Sequence, residues 1–307
     1  MQEESFEVQY TQEGERLDKV LSEIYPDFSR SFFQKLIKNK QIQVNGAVQK
    51  ASYPVHTEDL MRVTIPDAVE TTIEPENIPL DILYEDDDVL IVNKPKGMVV
   101  HPSAGHYSGT LVNAIMYHCK DSLSGINGQI RPGIVHRIDM DTTGSLIVCK
   151  NDESHVNIAE QIKEHTVNRI YVGIVCGNVT EDEGTIEGAI GRHPVDRKKM
   201  AVNEKNGKPA ITHYKVLERF GNYTYMQFQL ETGRTHQIRV HMASIGHPLL
   251  GDTLYSSGRS PFKHLQGQTL HAKTIGFVHP KSGEYMEFSA PLPEYFDNLL
   301  KLLKSRS

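Results

Sequence analysis

The residues predict a mixed α and β chain, class α+β, in which a small basic domain precedes a larger body that carries an aspartate-bearing loop. Three observations lead there. Apolar runs of strand length, such as residues 89–92 and 167–176, are interleaved with i, i+3, i+4, i+7 stripes such as Leu17, Val20, Leu21 and Ile24. Between residues 28 and 57 stand five Lys or Arg and no Asp or Glu, although the whole chain has a formal charge of −6, so the sign of the charge reverses locally. Residues 131–150 set His136-Arg137 and the carboxylates Asp139 and Asp141 between an apolar approach (Ile134, Val135) and an apolar exit (Leu146, Ile147, Val148).

At 307 residues the chain can hold one large domain and one small one. A hydrophobic content of 38% without an apolar run near membrane-spanning length predicts a soluble protein with no membrane partner. The start, Met-Gln-Glu-Glu, has no apolar stretch of the signal-peptide kind. Cys119, Cys149 and Cys176 are widely separated and form no CxxC, which suits the reducing cytoplasm. Net acidity argues against a surface coated in positive potential but leaves room for a local phosphate-binding patch. The 15 histidines are scattered, and His236 and His241 have the wrong spacing to share a helical face. No metal site is expected.

Residues 1–14 suggest an edge strand or loose tail. A helix from Glu15 is stopped by Pro26, and a second begins at Ser29 as N-cap, with Phe32, Phe33, Leu36 and Ile37 inward and Arg30, Lys35, Lys38 and Lys40 outward. Alternation around Asn45-Gly46 predicts a hairpin, and residues 60–65 a closing strand. Residues 15–65 thus form the small domain. Arg30, Lys35 and Lys38 are its candidate phosphate contacts, although an ordinary solvated helix face would look the same. The polar, proline-containing residues 66–77 are expected to be a linker, and the body is expected to span 78–307.

In that body, Glu85 to Asp88 predict a turn, residues 89–92 a buried strand and 111–118 a short helix. The apolar runs on either side of Asp139 predict two short strands, with Thr142-Thr143-Gly144 as the turn between them. Alternation turns Ile138 to one face and Arg137 and Asp139 to the other. A helix over 153–165 and a strand over 167–176 follow, the strand placing Tyr171 on the same face as Arg169. A basic loop then offers Arg192, Arg197 and Lys198 as further phosphate contacts. After strands over 210–218 and 223–230, Thr235 is placed to cap a helix that turns Ile238, Met242 and Ile245 inward, with His236 and Arg239 on a polar face. Residues 253–268 form a loop, and 293–304 a closing amphipathic helix. Taken alone, each polar group has an ordinary explanation: Asp-x-Asp-Thr-x-Gly is common turn chemistry, a tyrosine beside an arginine is often half-buried core, and His236 with Arg239 fits a surface pair.

His136-Arg137-Ile138-Asp139-x-Asp141-Thr142-x-Gly144 resembles the signature loop of pseudouridine synthases of the RluA/RluD type, in which leucine is usual at the position of Ile138 and serine frequent at that of Thr143. Arg169-x-Tyr171 and the run from Thr232 to Arg239 (Thr-Gly-Arg-Thr-His-Gln-Ile-Arg) resemble the second and third motifs of that family, and Asn93-Lys-Pro-Lys-Gly97 its opening segment. The two helices and hairpin near the N-terminus resemble the small RNA-binding domain named after ribosomal small-subunit protein four. The resemblance implies a catalytic domain built on a mixed, largely antiparallel sheet. It implies Asp139 as the catalytic residue, Tyr171 stacking on the target base, and Arg239 pairing with Asp139. Arg137 would replace the flipped nucleotide or bind a phosphate, with His136, Arg234 and His236 as further RNA contacts.

The implied reaction is isomerisation of specific uridines to pseudouridine in structured RNA, most simply large-subunit ribosomal RNA. It retains every atom, so no cofactor is needed. A monomer acting in the cytoplasm is expected. The competing reading is a non-catalytic RNA-binding or ribosome-assembly protein on the same fold. A glycoside hydrolase using Asp139 and Asp141 is disfavoured, because carboxylates two residues apart on one extended segment do not flank a bond from opposite sides.

Overall fold

The computed structural model describes residues 2–26, 28–65, 73–103, 105–120, 122–126, 132–196, 198–256, 262 and 265–306. The chain divides into two compact units, Met1–Thr71 and Thr72–Ser307. Of the segment expected as a linker, residues 66–72 lie outside the described residues. Its remainder is laid against the second unit: Ile73 is 8% exposed in that unit's core, and the Glu76 carboxylate accepts the Gly109 N–H.

In the first unit, β1 (Gln2–Glu7) is an edge strand, followed by α1 (Leu17–Ile24), α2 (Arg30–Lys38), β2 (Ile42–Val44) and β3 (Leu60–Ile65). The sheet order is β1-β3-β2, antiparallel throughout. Leu17, Val20 and Leu21 of the α1 stripe are buried and Ile24 is half-buried, and the Ser29 side chain accepts the Phe32 N–H at the start of α2. Asn45 and Gly46 both take positive φ, as a primed hairpin turn demands. The expected hairpin nevertheless stops there. Only the bridge Val44 to Ala47 follows the turn, and β2 takes β3 as its partner instead.

The second unit contains β4 (Ile82–Glu85), β5 (Val89–Lys94), α3 (Leu111–Cys119), β6 (Thr143–Cys149), α4 (Asp152–Lys163), β7 (Asn168–Cys176) and β8 (Glu183–Glu187). It continues through β9 (Ile190–Arg192), β10 (Met200–Val202), β11 (Ile211–Arg219), β12 (Tyr223–Leu230), α5 (Gln237–Ser244), β13 (Leu270–Val278), β14 (Tyr285–Ser289) and α6 (Glu294–Lys304). The main sheet runs β4-β5-β6-β13-β7-β12-β11-β8, with β14 on β13 and β9-β10 as a separate pair. It is mixed and largely antiparallel, β6 with β13 being the parallel pair. This is the α+β arrangement expected.

Alternate residues of the central strands face opposite layers. Leu90, Val92, Leu146, Val148 and Tyr171 pack with Leu111 and Ile115 of α3 and with Ile238 and Met242 of α5. Val89, Ile91 and Ile147 meet Ile158 of α4. Val172 and Ile174 meet Phe296 and Leu299 of α6. No helix among the described residues is long and apolar enough to cross a membrane.

Two expectations about the signature loop are corrected. Its apolar approach is not a strand, since Ile134 makes only a single bridge to Val148. Thr143 and Gly144 open β6 rather than forming the turn, which lies at Met140 and Asp141 and is closed by Thr142 N–H to Asp139 O at 3.1 Å. The reason is the neighbour: Gly144 has φ +110 and lies so close to β13 that a Cβ there would strike the Ala272 backbone carbonyl.

Candidate active site

The loop that carries Asp139 is fastened at several points. Buried Ile138 anchors it in the core, and Gly133 O accepts the Cys149 N–H at 2.9 Å. The Lys94 ammonium, 1% exposed, donates to the carbonyls of Pro95 (2.8 Å), Met98 (2.7 Å) and Met140 (3.0 Å). Burial pulls Lys94 down in pKa, while Asp141 and Asp139 pull it back up. Each of its three hydrogens meets a carbonyl, so the ammonium is the form that fits.

His136 was expected to touch RNA, but its Nε2 accepts the Ile147 N–H at 3.0 Å. Burial, helped by Arg169, pushes it down to about 3, so it is a neutral brace between the loop and β6. Beside this structural task, His136 is half-buried and lines a cleft together with Asp139.

Asp139 is brought to α5. Arg239 NH1 donates to Asp139 Oδ2 at 2.8 Å. The other edge of the same guanidinium is taken by Asp252, with Nε to Oδ2 at 2.7 Å and NH2 to Oδ1 at 3.0 Å. Burial opposes the Arg239 charge, but the two carboxylates more than offset it and hold the pKa above its ordinary value. The Asp139 side chain is 23% exposed and the Asp252 side chain 0%.

The start of α5 differs from the expectation. Thr235 does not cap it, and its hydroxyl accepts from Arg137 NH2 at 3.1 Å. His236 stands at the N-cap with φ +58. Its Nδ1 is 2.8 Å from the Tyr255 hydroxyl, and its Nε2 is 3.8 Å from Asp139 Oδ1. Burial lowers its pKa. Arg239 is buried rather than on a polar surface, and Ile245 is 41% exposed rather than inward.

Asp139, His236 and Arg239 line a cleft of about 640 Å³ together with Arg137, Arg169, Tyr171 and Arg234, over an apolar floor that includes Leu230, Ile238 and Leu270. Tyr171 is 8% exposed, and burial raises its phenol, with Asp139 adding to the effect and Arg169 opposing it. Arg169 NH2 donates to Glu231 O at 3.0 Å, and its buried Nε has no hydrogen-bond partner among the described residues. The Arg234 Nε donates to Pro209 O.

Other predicted contacts lie elsewhere. Arg192, on β9, and Lys198, between β9 and β10, are exposed and do not line the cleft. Arg197 lies outside the described residues. Lys35 and Lys38 are exposed on α2 of the first unit, where Arg30 is committed to Asp18 at 2.9 Å.

Asp141 does not line the cleft. Asp86, Asp88 and His279 bring three potential metal-ligand atoms within 4.8 Å of one another. The Asp86 carboxylate, however, already serves its turn, accepting the Asp88 and Val89 N–H groups, the Tyr84 hydroxyl and His279 Nε2. Asp252, Tyr255 and Lys94 were not foreseen as parts of the site. A lysine ending a buried apolar strand and an aspartate directly after Gly251 are the signals that could have found two of them.

A family model described as RNA pseudouridylate synthase matches residues 88–244, and the S4 domain matches residues 15–60. The chain is 50% identical to an uncharacterized RNA pseudouridine synthase of Synechocystis, over 95% of this chain and 90% of that one. It is 43% identical to ribosomal large subunit pseudouridine synthase D of Pasteurella multocida, over 98% of this chain and 95% of that one. A solved structure of human RNA pseudouridylate synthase domain containing 1 is 25% identical, covers 79% of this chain and 98% of its own, and superposes with a TM-score of 0.57.

Proposed function

The chain belongs to the RNA pseudouridylate synthase family, and from that membership we propose that Asp139 is the catalytic carboxylate of a uridine isomerase whose substrate is large-subunit ribosomal RNA. The observation that carries the assignment is Arg239 NH1 at 2.8 Å from Asp139 Oδ2, on the wall of a cleft that Tyr171 also lines. The reaction breaks the bond from C1′ to N1 of uracil, turns the base, and forms a bond from C1′ to C5. C5 then gives up its hydrogen as a proton and N1 gains one, so the atoms balance without a reductant, a nucleotide or a cofactor.

Asp139 is the group that engages the nucleoside, and Arg239 fixes which of its oxygens is free to do so. Tyr171 offers a neutral aromatic face on which a uracil taken out of its stack can rest. Arg137, exposed beside Asp139, and Arg234 are placed to meet backbone phosphates. The ribosomal target is supported by relatives such as the Pasteurella enzyme, and the first unit by its match to the S4 domain and its exposed lysines. The enzyme acts as a monomer in the cytoplasm on this reading.

The test is to map pseudouridines in ribosomal RNA from cells with and without the gene, and from cells carrying only Asp139→Asn. Specific large-subunit positions should be lost in both deficient strains. An unchanged map would remove the ribosomal assignment.

A further inference from the structure

Resting on the reading that Asp139 is the catalytic carboxylate, we propose that His236 and Asp139 together read the 2′-hydroxyl of the target nucleotide, with Tyr255 as the positioning residue that holds His236 for the task. Tyr255 joins β10 to the start of α5. Its hydroxyl oxygen accepts the Met200 N–H at 2.8 Å and lies 2.8 Å from His236 Nδ1. With a lone pair already engaged by Met200, the hydroxyl can direct its single proton to Nδ1, and we take the tautomer in which Nδ1 accepts it. The imidazole proton then sits on Nε2.

That Nε2–H faces Asp139 Oδ1 across 3.8 Å. The gap is too wide for a bond between the two, yet one atom can lie within about 3 Å of both. Such an atom must accept from Nε2–H and donate to the carboxylate at once. Within an RNA chain the uridine carbonyls only accept, N3–H only donates, and the 3′ and 5′ oxygens are esterified. The 2′-hydroxyl is the one group on that nucleotide that does both, and it also distinguishes RNA from DNA.

The rest of the geometry preserves this opening. Arg239 occupies Oδ2, so Oδ1 is the oxygen that remains. Asp252 takes the other edge of Arg239, and the Tyr255 ring lies 5.1 Å from the Arg239 guanidinium carbon. One short segment, 252–255, therefore sets both groups that flank Asp139. His236 is itself held at φ +58, a conformation uncommon for a residue with a side chain.

The test uses the full-length protein and a large-subunit ribosomal RNA fragment containing a mapped target uridine, made with ribo, 2′-deoxy or 2′-fluoro sugar at that position. The fluoro form keeps an RNA-like pucker while removing the donor. The parent enzyme should lose at least about tenfold in kcat/KM on both altered sugars, as a site left with unpaired polar groups does. In His236→Leu that penalty should shrink toward one. His236→Gln, whose amide nitrogen can replace Nε2, should retain more of it than His236→Asn, which mimics Nδ1.

Tyr255→Phe loses only a hydroxyl and guards against a folding failure at position 236. It should reduce discrimination by about fivefold, the effect of one neutral hydrogen bond. An equal sugar penalty in the parent, His236→Leu and Tyr255→Phe would overturn the proposal while leaving Asp139 in place. Turnover surviving in Asp139→Asn, or the absence of any mapped target, would remove the underlying reading and the proposal with it.

Discussion

Asp18 in the N-terminal unit and Asp139 in the second unit each accept from an arginine at nearly the same distance, 2.9 Å from Arg30 and 2.8 Å from Arg239. Their surroundings differ. The Asp18 side chain is 0% exposed, and both of its oxygens are filled: Arg16 and Arg30 on Oδ1, Arg16 and Gln34 on Oδ2. Burial alone would raise its pKa, but these donors hold the carboxyl well below the usual range. Asp139 has one oxygen occupied and the other facing a cleft, with His236 Nε2 at 3.8 Å. A carboxylate whose acceptors are all satisfied is a structural strut. One held by a single oxygen, with the other turned to a cavity, is set up to meet a ligand.

The comparison can be broken most forcefully at the two arginines. Arg239→Met removes the donor to Asp139, and turnover should fall by about 10²- to 10³-fold, the usual effect of deleting one preorganised charge partner. It also leaves the fully buried Asp252 without its fork, and thermal unfolding should report a loss on the order of 3 kcal/mol. Arg30→Gln removes a donor from Asp18, and its effect should be confined to stability, on the order of 1 kcal/mol because half of that arginine's surface is solvated. Turnover that falls as far in Arg30→Gln as in Arg239→Met would erase the distinction.

A smaller effect sharpens the same contrast. If the Arg30 charge is absorbed by Asp18, then Arg30→Gln should leave the salt dependence of RNA binding nearly unchanged. The double substitution of Lys35 and Lys38 by Gln should lower the slope of log K against log salt by about 1.4 to 1.8, two contacts at roughly 0.7 to 0.9 each. Measuring binding from low to moderate salt for the three proteins decides it: a slope lowered by about 0.7 to 0.9 in Arg30→Gln would return Arg30 to the RNA contacts, and an unchanged slope in the double variant would remove the two lysines.

What the sequence made legible follows the range of the forces involved. α1, α2, α3, α4 and α6 declare themselves in local periodicity and caps, and Asp139, Tyr171 and Arg239 in short motifs. The strands β8, β9, β10 and β14 carry no strong period. They exist because neighbouring strands offer a ladder, as β11 does for β8 and β13 for β14. The same holds for the failed hairpin arm after Gly46, where β3 captured β2 from 17 or more residues away.

At the site, the motif named His136 only as a contact, and only the register of β6 shows that it also braces Ile147. Tyr255 was illegible as a partner of His236 because residues 253–268 read as a plain loop, and contact across a turn leaves no spacing in the chain. Thr235 is not the cap because α5 begins at Gln237 with His236 at the N-cap, and the Thr235 hydroxyl meets Arg137, 98 residues earlier.

The assignment of chemistry to Asp139 is tested most directly by release of tritium from C5 of uridine in a large-subunit ribosomal RNA transcript, with RNA binding measured on the same protein. Asp139→Asn keeps the shape of the side chain and removes its charge. Tritium release should fall by at least about a thousandfold, while binding and thermal stability stay close to those of the parent. Release within tenfold of the parent, from a variant that binds RNA equally well, would contradict the account.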